Sequence, residues 1–183
     1  MKPVSRSEIV DYQTYADERD AYRAEVLEVK RPRRIHVGPN LTFLFENRVT
    51  VRYQVQEMMR TEQIVKEADI LHELETYNEL LGGDCELGCT LLIEIDDEKE
   101  RAEKLRAWLE LPKHLYALLE DGERVRFTFD PRQVGEERLS SVQYLKLKTG
   151  GKVPVALGAD HPGYTVEVSL TEEQRGALGE DLG

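Results

Sequence analysis

Long apolar runs are missing from this 183-residue chain. None approaches the roughly 18 residues that a membrane-spanning helix needs. Cysteine is scarce: Cys85 and Cys89 are the only two. Two thiols are too few for a disulfide framework or for four-sulfur zinc or iron–sulfur ligation. Their spacing also excludes a C-x-x-C redox pair. Positive charge is in deficit, with 25 Lys plus Arg against 36 Asp plus Glu and a formal charge of −11. Nonspecific nucleic-acid and anionic-membrane binders need a basic surface, so neither partner is expected. A serine nucleophile elbow is absent. So is a phosphate-binding glycine loop, because Gly82-Gly83 and Gly150-Gly151 lack its spacing and helix context. The opening residues carry no apolar stretch of about 7–15 residues, which points to a cytoplasmic location with reduced thiols.

Hydrophobic residues make up 40% of the chain and charged residues 33%, a composition that folds around a core. We expect a single α+β domain over residues 1–183. Its helices lie mainly in the N-terminal half and pack on a mainly antiparallel sheet from the C-terminal half, because no βαβ alternation is visible. Ser5 to Glu8 has capping-box spacing. A helix over 14–30 carries Tyr15, Tyr22, Val26 and Val29 on one face, and Pro32 stops it. Strands over 33–37 and 41–46 flank a Gly38-Pro39-Asn40 turn. Asn47 caps a helix over 48–60, and another runs over 62–81 with Ile64, Ala68, Leu71 and Leu74 inward. A strand over 91–95 precedes an acidic helix closed by Pro112. Residues 115–119 and 125–129 form a hairpin around Asp121-Gly122. Strands around 142–147, 153–157 and 164–168 follow, the last two separated by a turn over 158–163. A second capping box at Thr171 opens a terminal helix. The polar loop over 130–138 is long enough to move.

The densest polar region spans Glu46 to Glu86. A binding site built there takes Glu46, Arg48, Gln54, Glu57, Arg60, Glu73, Tyr77 and Asn78. Acids, amides and arginines together hold polar ligands through charge-assisted hydrogen bonds. If the two helices pack antiparallel, Glu57 and Arg60 meet residues of the second. The blander interpretation of the same residues is a solvated, salt-bridged face. A metal-dependent enzyme is the alternative, with Glu57, His72 and Glu73 as ligands and Glu46 or Glu62 as the acid–base group. Asp69 and His72 stand three apart, half of a di-iron pattern whose other half is missing. A structural or oligomerisation module, forming a homo-oligomer, is a third possibility. Cys85 and Cys89 read as small apolar residues entering a strand. His36 and His114 read as surface or satisfied side chains. His161 beside Asp160 is either a tuned base or part of a turn. The basic run Lys30-Arg31-Pro32-Arg33-Arg34 offsets the chain's own acids. The sequence leaves the cofactor open, and no catalytic residue is assigned.

Several segments together resemble a bacterial family catalogued only as a domain of unknown function. They are Phe45-Glu46-Asn47-Arg48, the run from Gln54 to Arg60, Glu62, Glu73 with Thr76-Tyr77-Asn78, Glu86-Leu87, the run from Thr90 to Ile95, Val142-Gln143-Tyr144 and His161-Pro162-Gly163-Tyr164. The resemblance covers nearly the whole chain and implies an intracellular protein of about this size. It also implies gene neighbours encoding rubrerythrin-like and iron–sulfur oxidoreductase proteins, and hence a redox or iron–sulfur partner protein. It supplies no catalytic residue.

Overall fold

In a computed structural model of the chain, residues 1–135 and 137–183 are described. Among the described residues the chain forms five α-helices and two antiparallel sheets. Asp11 accepts the Gln13 and Thr14 amides and starts α1 (Tyr12–Lys30). A 3-10 turn through Pro32 leads to β1 (Arg34–Val37), which pairs with β2 (Leu41–Glu46). Asn47 caps α2 (Arg48–Glu62) by accepting the Val49 and Thr50 amides. After α3 (Glu67–Asn78) come β3 (Glu86–Ile93) and α4 (Glu98–Ala107), the latter capped by Asp97. β4 (Leu115–Leu119), β5 (Arg124–Arg126), β6 (Thr128–Phe129) and β7 (Val142–Lys148) come next. β8 (Pro154–His161), β9 (Tyr164–Ser169) and α5 (Glu172–Leu182) complete the chain.

One sheet has the order β1-β2-β3-β7-β6 and the other β5-β4-β8-β9. A single apolar cluster joins them, with Phe43, Leu91, Leu115 and Leu157 fully buried. Phe127, between β5 and β6, marks where the chain passes from one sheet to the other, and its ring stands 5.3 Å from that of Phe43. A separate cluster of Val51, Val55, Met59, Ile70 and Leu74 belongs to the helices. The five-stranded sheet thus has a core face and a helix-side face, because side chains alternate along each strand.

The α+β class holds, with the helices mostly in the N-terminal half and the strands mostly in the C-terminal half; β1 and β2, expected over 33–37 and 41–46, extend the antiparallel sheet from the first half. The helix expected over 62–81 is shorter. Gln63 adopts φ +51° and ends α2, and α3 restarts at Glu67. Its buried residues are Ile70 and Leu74, while Ala68 and Leu71 are exposed. The strand expected over 91–95 begins earlier and is paired from Glu86 on. Residues 158–161 continue β8 instead of turning, leaving Pro162-Gly163 as the turn. Gly158 allows this, because a Cβ there would lie 2.5 Å from the Tyr116 ring. The loop over 130–138 includes a residue outside those described. Its described part holds a 3-10 turn at Pro131–Gln133 and a bridge between Val134 and Leu139.

Candidate functional site

The helix-side face of the five-stranded sheet forms the floor of a groove. Strand register puts three rows of residues on that face. The first is Thr42, Leu92 and Val142. The second is Leu44, Thr90 and Tyr144. The third is Glu46, Gly88, Lys146 and Thr128. The backbone after α3 closes over one end. Gly88 makes this possible, because a Cβ there would fall 1.7 Å from the Leu80 carbonyl oxygen. Lys146 secures the closure by donating to the Glu79 and Leu81 carbonyls at 2.6 and 2.5 Å. Burial pushes the Lys146 ammonium below its ordinary value.

Two adjoining cavities occupy the groove. The inner one, about 320 Å³, is lined by Lys30, Glu46, Gln54, Thr90 and Leu92 among others. The outer one, about 450 Å³, reaches Thr76, Phe129, Asp130 and Gln133. Tyr77, Leu80 and Tyr144 line both. Burial, then the nearby Glu73 carboxylate, raises the Tyr77 phenol. Glu46 is 5% exposed and accepts the Thr90 hydroxyl at 2.9 Å and the Thr50 hydroxyl. Lys30 reaches in from the end of α1, its ammonium 4.9 Å from the centre of the Tyr53 ring. Burial lowers the Lys30 value, and the Glu46 charge opposes that shift.

Of the eight residues expected to form the binding site, Glu46, Gln54 and Tyr77 meet here. The others have different work. Asn78 accepts the Val4 amide at 2.8 Å and donates to the Val4 carbonyl at 2.9 Å. Arg48 donates to the carbonyls of Lys2 and Pro3 and to Glu8. Both therefore hold the N-terminal segment. Glu57 faces α1, not α3: it accepts from Arg19 at 2.7 and 2.9 Å and from the Tyr15 hydroxyl at 2.6 Å. The Arg19 hydrogen bonds hold its carboxyl below the usual range. Arg60 lies 3.9 Å from Glu57. Glu73 lines a surface hollow with Asp69 and His72. Among the described residues, no three His, Cys, Asp or Glu side chains are placed to hold a metal ion. The Glu57–His72–Glu73 set is therefore not assembled. Cys85 is exposed, and Cys89 is buried with its thiol pushed up by that burial.

The basic run behaves as its sequence suggests, with one exception. Arg31 pairs with Glu173, Arg33 with Asp181 and Arg34 with Glu94. Among the described residues Lys30 has no ion-pair partner within 4.0 Å. Lys30, Thr90 and Tyr144 were missed as site residues because they come from distant segments brought together by strand pairing. Lys30 had one readable signal, as a cation in a stretch of an otherwise acidic chain.

A second polar cluster lies on the four-stranded sheet. Asp160 accepts from Arg126 at 2.8 and 2.6 Å and stands 3.1 Å from His114 Nδ1. Arg126 above all holds its carboxyl down at about 2. His161 Nδ1 accepts the Gly163 amide, and burial lowers its value. Asp160 is therefore already satisfied by internal partners.

Among the described residues, no helix is long and apolar enough to cross a membrane. The family model described as "Protein of unknown function (DUF3501)" matches residues 3–182. A crystal structure of a protein of unknown function from Burkholderia pseudomallei K96243 superposes with a TM-score of 0.90 at 26% identity, covering 100% of each chain. No curated protein matches this chain.

Proposed function

The chain belongs to the DUF3501 family, whose description assigns no activity, and we propose from the site itself that it is a small-ligand binding module. The observation that carries this is the groove between the helices and the five-stranded sheet. Concave, mainly apolar sites with a few converging polar groups are where small molecules bind. Here Leu44, Leu92, Tyr77 and Tyr144 supply apolar walls, and Lys30, Glu46, Gln54 and Thr90 supply the polar groups. Tyr144 is 47% exposed and Val142 36%, so the rim presents apolar surface to solvent. In the redox or iron-linked setting implied by the family resemblance, a partner protein would meet the ligand across this rim.

The aromatic anion 8-anilinonaphthalene-1-sulfonate tests the reading. It should bind saturably, and Tyr144→Ala and Tyr77→Ala should each weaken it about tenfold through lost aromatic contact. The proposal fails if binding does not saturate, or if both variants bind as the parent does.

A further inference from the structure

Three charged side chains line the inner cavity: Arg33, which is paired with Asp181, and Glu46 and Lys30, neither of which is ion-paired. Glu46 is nearly sealed from solvent, yet its acceptors are met only by the Thr50 and Thr90 hydroxyls. Among the described residues, no Lys or Arg nitrogen lies within 4.0 Å of it. Lys30 has no carboxylate at that distance either, although its three arginine neighbours in sequence all have one. A buried charge without a counter-charge is costly to keep. Two opposite charges lining one cavity, too far apart to touch, leave a gap that a molecule carrying both charges closes at both ends.

The rest of the cavity describes the body of that molecule. Beyond the charged end, Leu44, Leu92 and Val142 make an apolar floor, and Tyr77 and Tyr144 lead into the outer cavity. Resting on the groove reading above, we propose that the inner cavity binds a zwitterion of the α-amino-acid class with an apolar side chain. Its carboxylate meets Lys30, its ammonium meets Glu46, and its side chain runs between Tyr77 and Tyr144. A hydrogen bond to a charged partner is worth more than one to a neutral partner. Both ends of a zwitterion gain this advantage here, whereas a simple anion or cation gains it at one end and leaves the other protein charge unpaired.

Titration calorimetry with three probes of one ring size separates the cases: L-phenylalanine, 3-phenylpropionate and 2-phenylethylamine. L-phenylalanine should bind about ten- to a hundredfold more tightly than either singly charged probe. Lys30→Met should erase its advantage over 2-phenylethylamine. Glu46→Gln should erase its advantage over 3-phenylpropionate. Should Glu46→Gln not fold, Lys30→Met carries the test alone. Equal binding of the three probes overturns the zwitterion assignment, as does a preference unchanged by Lys30→Met. Failure of L-phenylalanine to bind where the naphthalene sulfonate still binds removes this inference and leaves the groove reading standing. Failure of all four probes removes both.

Discussion

Arg33 and Asp181, far apart in sequence, close a two-pronged ion pair, with Nε to Oδ2 at 2.6 Å and Nη2 to Oδ1 at 3.0 Å. The two side chains are 7% and 6% exposed. Arg33 also donates to the Val29 and Ala177 carbonyls, so one guanidinium joins the end of α1 to α5. Removing Arg33 leaves the buried Asp181 carboxylate with the Asn47 amide alone, and removing Asp181 leaves the buried guanidinium with the exposed Glu180 carboxylate at 3.6 Å as its nearest counter-charge. Arg33→Met or Asp181→Asn should therefore cost about 3–5 kcal/mol. Urea unfolding of each variant checks this, and a loss under about 1 kcal/mol would show that α5 is held by its apolar contacts instead.

Gln56 and Asn78 treat the N-terminal segment alike. Each uses its side-chain amide to pair with one residue's N–H and C=O, Gln56 with Val10 and Asn78 with Val4. Val4 and Ile9 are buried in the helical cluster between these clamps. Asn78→Ala leaves the Val4 amide and carbonyl without partners and should destabilise the segment by about 1–3 kcal/mol. Amide exchange at Val4 should accelerate far more than exchange in β3. Equal acceleration in both places would mean that the segment does not open locally.

Where the chain carries its own punctuation, the fold was legible. Asn47, Asp97 and Thr171 announce their helices through the amides they cap. Alternating apolar residues announce β2 and β7. The start of α3 was not legible, because Gln63 turns into the left-handed region with no glycine or proline to signal the break. That lost break moved the expected inward face from Ile70 to Ala68 and Leu71. The site was legible only in part. Glu46 stands out in sequence as an acid closing an apolar strand, but Arg48, Glu57 and Asn78 look equally polar. Only tertiary packing separates a carboxylate left unpaired in a cavity from one spent on Arg19, and the α1–α2 contact that decides it has no local signature.

Asp160 should set part of the acid limb of stability. Its folded value, about 2, lies below the ordinary 3.8, chiefly because Arg126 donates to it. Folding therefore favours the charged form. The stabilisation is complete above about pH 5 and is lost as the pH falls through about 2. Asp160→Asn should lower the urea midpoint near pH 7 and narrow its gap to the parent near pH 3. A gap that is constant across this range would assign the effect to shape and not to charge.

Gly88 decides whether the groove can form. It sits on β3 opposite Glu46 and Lys146, where the Leu80–Gly82 backbone crosses the sheet. A methyl group there would come within 1.7 Å of the Leu80 carbonyl oxygen and 3.0 Å of the Gly82 amide nitrogen. Both are backbone atoms, so no side-chain rotation relieves the overlap. Gly88→Ala must push the segment outward, at a cost of about 1–3 kcal/mol. Lys146 would then lose its two carbonyl acceptors, and Leu80 would leave the wall it forms in both cavities. The variant should show a lower urea midpoint together with at least about tenfold weaker binding of the naphthalene sulfonate. Gly122→Ala is the control. Gly122 has φ +85° but nothing within 4 Å of an added Cβ, so backbone strain there should lower stability and leave binding unchanged. Equal binding losses in the two variants would detach the groove from Gly88.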